Sequence, residues 1–188
     1  MPAITSEARR IATRLPRAAL ALLLVTFAPA WAATTPGSAS PIVGQRAPAL
    51  LARTFGGDKI DLAELRGKLV VLNFWASWCG PCRSEMPALD ALYREYRSRG
   101  VVVIGLSADD SHDRKDALAA ARGLSYVTGM LSEATTNGFG APQVLPMTYV
   151  IAADGTLAEV LTANRGALSA AQLRAAVDAR LPAISPAP

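Results

Sequence analysis

Cys79 and Cys82 are the only cysteines of the chain, and they share one short stretch, Trp78-Cys79-Gly80-Pro81-Cys82. Paired thiols at this spacing exchange electron pairs with other disulfides: one sulfur attacks and the other resolves the mixed disulfide. Before them, Leu69 to Phe74 is an apolar run of strand length led in by Arg66-Gly67-Lys68. After them, Met86, Leu89, Leu92, Tyr93 and Tyr96 recur at three- and four-residue intervals, a helical period. The cysteines therefore fall where a buried strand ends and a helix begins. The free N–H groups and dipole of a helix start favour an anion, so the Cys79 thiol is expected to ionise below the ordinary ~8.5. Cys79 is assigned as the nucleophile and Cys82, one turn inward, as the resolving thiol. A passive disulfide clamping this turn closes too small a loop to contribute much stability. Half a zinc site is the other bland reading, but no second cysteine pair exists and His112 is the only histidine. No metal and no other cofactor is expected.

The elements that must hold this pair follow from pattern. Ala49 to Phe55, a Gly56-Gly57-Asp58 turn and Lys59-Ile60-Asp61 read as a short hairpin, with Asp61 capping a helical turn that ends near Leu65. The strand Leu69 to Ala76 is apolar on both faces, as a central strand should be. The helix from about Cys79 to Arg99 contains Pro87, which should kink it, and Gly100 ends it. Val101 to Leu106 is a second buried strand, so strand, helix and strand make a right-handed parallel crossover. A helix is expected over Ser111 to Arg122, a short strand near Tyr126-Val127, and irregular chain from Met130 to Gln143 with a brief helix around Glu133. Thr148 to Ile151 and Leu157 to Leu161 flank the hairpin signal Ala153-Asp154-Gly155, and Ser169 to Arg180 is a capped, Ala-rich helix.

Phe74-Trp75-Ala76-Ser77-Trp78-Cys79-Gly80-Pro81-Cys82 resembles the active-site motif of thioredoxin-fold oxidoreductases. With Gly67 to Asn73 before it and Arg83-Ser84-Glu85-Met86-Pro87 after it, the stretch is similar to the exported TlpA/ResA/DsbE branch, over roughly Gly44 to Leu181. The resemblance implies an α/β thioredoxin-like fold: a central mixed sheet, helices on both faces, and a short N-terminal hairpin. The cysteines would lie at the carboxyl end of a central strand, where open α/β sheets place their sites. Ordinary thioredoxins carry a buried Asp on this strand; here Asn73 takes the matching place and cannot accept a proton in the working pH range. Glu85, on the helical face of Cys82, resembles the branch's active-site glutamate, which manages the proton of the buried cysteine. Burial would raise its pKa toward neutrality, as a general acid/base requires. The competing reading is a surface Glu paired with an Arg. Pro146 looks like the cis-proline of this fold, with Leu145 presenting its backbone to a substrate segment as an added strand. Pro142 is the competing candidate. Trp78 is expected to form an apolar receiving surface beside Cys79 or simply to pack, Trp75 to lie in the core, and Tyr93 and Tyr96 to pack at core and edge. Asp109 to Asp116, with His112, reads as a solvated charge cluster.

Composition narrows the class. At 51% hydrophobic residues the chain can bury a real core, and 188 residues suit one domain plus a leader. Arg9, Arg10, Arg14 and Arg17 less Glu7 account for +3 of the net +4, so the rest is near neutral and no nucleic-acid footprint is supported. The basic start, the apolar run Ala18 to Ala28 and the small-x-small Ala30-Trp31-Ala32 follow the plan of a secretory signal peptide. The apolar run falls short of the ~20 residues that span a bilayer, which favours cleavage over a permanent anchor. Residues 1–32 are thus read as signal peptide, 33–43 as linker, 44–182 as the folded domain and 183–188 as a tail.

The expected function is a periplasmic thiol–disulfide oxidoreductase, acting as a monomer and touching membrane only through an uncleaved leader. The resemblance implies a reductant of disulfides in exported proteins such as apocytochrome c, fed by a membrane dithiol donor of the DsbD or CcdA kind, because the periplasm is kept oxidising. A disulfide oxidase or isomerase is the near alternative. A peroxiredoxin-like peroxidase is disfavoured, since Leu72 and Ala76 sit where its Pro and Thr should be. A copper-handling chaperone would use Cys79, Cys82 and His112 as soft ligands.

Overall fold

The structure, a computed structural model, describes residues 41–162 and 167–181. The expected leader, most of the linker and the C-terminal tail lie outside the described residues.

A five-stranded mixed sheet carries the fold, in the order β5-β4-β3-β7-β8. Its centre is β3 (Leu69–Trp75), buried at every position, as the run without polar alternation predicts. β4 (Val101–Ser107) pairs with it in parallel from Leu69↔Val101 to Trp75↔Ser107. β7 (Met147–Ile151) runs antiparallel on its other side. The edges are β5 (Val127–Met130), parallel to β4, and β8 (Leu157–Thr162), antiparallel to β7. A second sheet, in the order β2-β1-β6, is built from β1 (Leu50–Arg53), β2 (Lys59–Asp61) and β6 (Thr136–Asn137).

The alternation of β3 sorts its side chains onto two clusters. Leu69 and Val71 pack with Leu89, Leu92 and Tyr96 of α1 (Gly80–Tyr96) and with Leu173 and Val177 of α3 (Ala170–Asp178). Val70, Leu72 and Phe74 face the opposite way and meet Leu50, Ala52 and Ile60 of the N-terminal sheet, with Phe139 and Tyr149. Each such buried Leu, Val, Ile or Phe contributes about 1.5–3 kcal/mol. α2 (Arg114–Ala120) adds Ala117 to a third cluster, around Trp75, Ala76, both cysteines, Met86 and Met130.

The expected mixed sheet with flanking helices is the observed architecture. α1 continues through Pro87, and a 3-10 turn, Arg97–Arg99, carries it to Gly100, whose φ of +83° ends the helix. Asp61 caps a 3-10 turn, Leu62–Leu65, and Ser169 opens α3 in a capping box with Gln172. The helix expected over 111–122 is shorter: a 3-10 turn, Ser111–Asp113, and then α2. The helix expected around Glu133 is instead a turn, with Ala134 N donating to Leu131 O. The backbone there is drawn off into sheet, since Thr135 N donates to Leu51 O and β6 pairs with β1. Two junctions lock the sheets together. Thr54 bridges to Gly129, where a Cβ would stand 2.1 Å from the Arg53 carbonyl oxygen, so only glycine fits. Gly44 N donates to Leu157 O and Leu157 N to Gln45 O, fastening the start of the domain to its last strand.

Candidate active site

Cys79 is the N-cap of α1, and its Sγ lies 3.2 Å from the Cys82 N–H that points at it. Gly80 and Pro81 fill the first helical turn, where the missing N–H of proline costs nothing. Cys79 and Cys82 are joined as a disulfide. The outer sulfur residue is 6% exposed and the inner one 1%, the asymmetry expected of an attacking and a resolving thiol. The turn ahead of them is held by Cys79 N to Ala76 O at 3.1 Å and by Ala108 N to Trp75 O at 2.7 Å.

Glu85, one turn beyond Cys82 on α1, is 1% exposed. Its Oε1 accepts from Asn73 Nδ2 and from Thr148 Oγ1, each at 3.3 Å, and its Oε2 accepts from the Leu168 N–H at 3.1 Å. Burial pushes its carboxyl up from the ordinary range, and the Leu168 N–H and Thr148 hydroxyl pull the other way without cancelling it. This geometry removes the surface ion-pair reading: the partners are buried dipoles, and no cation pairs with it among the described residues. Asn73, on the central strand, also donates to Thr148 Oγ1 at 2.9 Å, so a closed polar island sits within the core.

The Leu145–Pro146 peptide is cis, and it is Leu145, with Trp78, Cys79, Pro81, Ala108 and Pro142, that lines an open groove beside the disulfide. Pro146 itself leads into β7 next to the active-site strand. Trp78 is 71% exposed, which rules out simple packing, whereas Trp75 is fully buried as expected. Tyr96 is buried and Tyr93 packs at the edge of the core. His112 is exposed and its carboxylate neighbours are Asp110 and Asp113, at 3.2 Å for the latter; that cluster contains no sulfur.

One expectation fails. Asp109 does not belong to a solvated face: it is buried, beneath the turn that carries Trp78 and Cys79. Thr148 and the Leu168 N–H were also not singled out by sequence reasoning. Thr148 carries no motif of its own, and a backbone N–H in the approach to α3 leaves no mark in residue types.

The chain matches the AhpC/TSA family over residues 43–160. It is 34% identical over 117 residues to the thiol-disulfide oxidoreductase ResA of Bacillus thuringiensis, covering 62% of this chain and 68% of that one. It is 34% identical over 119 residues to the thioredoxin-like protein YneN of Bacillus subtilis, covering 62% of this chain and 69% of that one. Among solved structures, a candidate thiol:disulfide interchange protein DsbE from Chlorobium tepidum superposes with a TM-score of 0.65 at 25% identity, covering 76% of this chain and all of that one. The chain belongs to the AhpC/TSA family and, within it, to the thioredoxin-fold thiol–disulfide oxidoreductases of TlpA/ResA/DsbE type.

Proposed function

We propose that this enzyme works outside the cytoplasm as a reductant of disulfides in exported proteins, apocytochrome c among them, and that Cys79, Cys82 and Glu85 carry the chemistry. In the reduced enzyme the Cys79 thiolate attacks a substrate disulfide. A mixed disulfide forms and one substrate sulfur leaves as thiolate, taking up a proton. Cys82 then gives up its proton and attacks Cys79 Sγ, which releases the second substrate sulfur and leaves the Cys79–Cys82 disulfide. Two electrons and two protons pass to the substrate. A membrane dithiol protein of the DsbD or CcdA kind restores the dithiol by the reverse exchange.

The observation that carries this reading is the burial of Glu85 one turn beyond the inner sulfur, in a setting that raises its affinity for a proton. A base there takes the proton that Cys82 must lose in a dry interior, and returns it on reduction. Leu145 and Trp78 form the receiving surface, where the Leu145 backbone pairs with an extended substrate segment. The likeness to the thiol-disulfide oxidoreductase ResA and to a DsbE-type thiol:disulfide interchange protein supports thiol–disulfide exchange as the chemistry. Residues 1–32 serve as a cleaved signal peptide and 33–43 as a linker; the enzyme acts as a monomer. No helix among the described residues is long and apolar enough to cross a membrane. A peroxidase reading lacks its frame, with Leu72 and Ala76 at the positions of the required Pro and Thr.

Two measurements test the proposal. Cys82→Ser, expressed with its leader, should accumulate a mixed disulfide through Cys79, and the trapped partner should be an exported protein with a vicinal cysteine pair. The Cys79/Cys82 couple should have a reduction potential below about −200 mV, on the reducing side of disulfide isomerases at about −180 mV. A value near the −120 mV of a strong oxidant such as DsbA would overturn the reductant assignment.

A further inference from the structure

We infer that Asp109 is a positioning residue for the nucleophile: its carboxylate clasps the turn that presents Trp78 and Cys79. Asp109 follows β4 and is 2% exposed. One carboxylate oxygen accepts from the Ser77 N–H at 2.8 Å and the other from the Ser77 hydroxyl at 2.7 Å. The Ser107 hydroxyl, also buried, donates to the same carboxylate and accepts from the Asp109 N–H, which fixes the carboxylate from behind. Among the described residues, every hydrogen bond to this side chain comes either from Ser77, two residues before the nucleophile, or from the strand end that anchors it.

The neighbouring contacts show why a clasp is needed here. After Trp75 the chain leaves β3 and no longer pairs with β4 strand to strand. Between there and α1, the crossings back to β4's end are Ala108 N to Trp75 O and the Asp109–Ser77 pair. Freed at Ser77, the turn could swing with Trp78 and carry Cys79 Sγ away from the Cys82 N–H. The other charged groups flanking the turn are Arg83 and Asp116, both exposed beside Ser77 and Trp78. Substitution separates the geometry of the clasp from the carboxyl group itself. Asn in place of Asp109 keeps the clasp, because its oxygen still accepts from Ser77 N and Ser107 and its amide donates to a turned Ser77 hydroxyl.

This inference rests on Cys79 as the attacking sulfur, and the assay checks that separately. The full chain, reduced, is reacted with iodoacetamide from pH 5 to 9, and its reduction of a small aromatic disulfide is followed in parallel. Wild type that fails to turn over the disulfide would count against the dithiol reading; the Asp109 comparison is made only between variants that stay folded by circular dichroism. Asp109→Ala should slow mixed-disulfide formation at least tenfold and move the Cys79 alkylation profile toward that of an ordinary thiol. Asp109→Asn should restore the rate to within threefold of wild type. Ser77→Ala, which keeps the backbone bond and loses only the hydroxyl, should fall between, and it replaces Asp109→Ala if the latter does not fold. The clasp is overturned if the folded Ala variants keep the wild-type rate and profile, or if Asn behaves like Ala.

Discussion

Replacing Glu85 by Gln separates what its charge does from what its shape does. The carboxylate accepts three hydrogen bonds, from Asn73 and Thr148 on one oxygen and from Leu168 N–H on the other. An amide of the same size has one oxygen. In either orientation its NH₂ faces a donor, a mismatch that costs about 1–3 kcal/mol. Against that, the variant no longer buries an ionisable group. The balance depends on pH, and its sign follows from linkage. Burial raises the folded-state pKa of Glu85 above the ordinary 4.5, so between the two values the folded protein holds more protons than the unfolded chain. Stability from this group is fully present below pH 4.5 and is lost as pH rises through the raised folded value. Urea titrations of the oxidised proteins should therefore show wild type losing ground relative to Glu85→Gln as pH rises above 4.5, followed by a plateau. In turnover the order reverses. The resolution step, isolated by preparing the mixed disulfide and following release of the substrate thiol, should slow by about 10²-fold at pH 7, the lower end of what a positioned acid–base group supplies. The pH dependence assigned to Glu85 should vanish with it, while alkylation of Cys79 changes little. A variant that resolves the mixed disulfide with the wild-type pH profile would refute the proton-handling role outright.

Other perturbations probe the groove and the junction. Trp78→Ala removes a side chain that is 71% exposed, so stability should change by no more than about 0.5 kcal/mol while KM for a protein disulfide rises several-fold and KM for a small disulfide does not; equal effects on both would dissociate Trp78 from partner binding. Gly129→Ala drives a methyl to 2.1 Å from the Arg53 carbonyl oxygen and should lower unfolding free energy by about 1–3 kcal/mol, read from the denaturant midpoint, with the thiol chemistry intact once folded.

The centre of the molecule was legible because its signals are local. A run of apolar residues with no polar alternation gave β3, the Cys-Gly-Pro-Cys turn gave the helix start, and Asp61, Gly100 and Ser169 marked ends by capping chemistry that residue type alone reveals. Glu85 was found for its place on the helix, but its depth was not visible: three of its neighbours come from β3, β7 and the approach to α3, far apart in sequence. Asp109 was misplaced for a related reason. Beside Asp110, His112 and Asp113 it looks like one more solvated charge, and only the pairing of β3 with β4 brings Ser77 over it. The turn at Glu133 shows the limit of propensity, since a segment able to make a helical turn gave its backbone to a second sheet.

The bonds from Gly44 and Gln45 to Leu157 also set an order of events during synthesis. A ribosome delivers the first of these residues long before the last, so the opening stretch has nothing to dock on until nearly the whole domain has emerged. The Leu168 N–H that completes the surroundings of Glu85 arrives later still. Until then the two thiols lack the surroundings that Leu168 completes around Glu85.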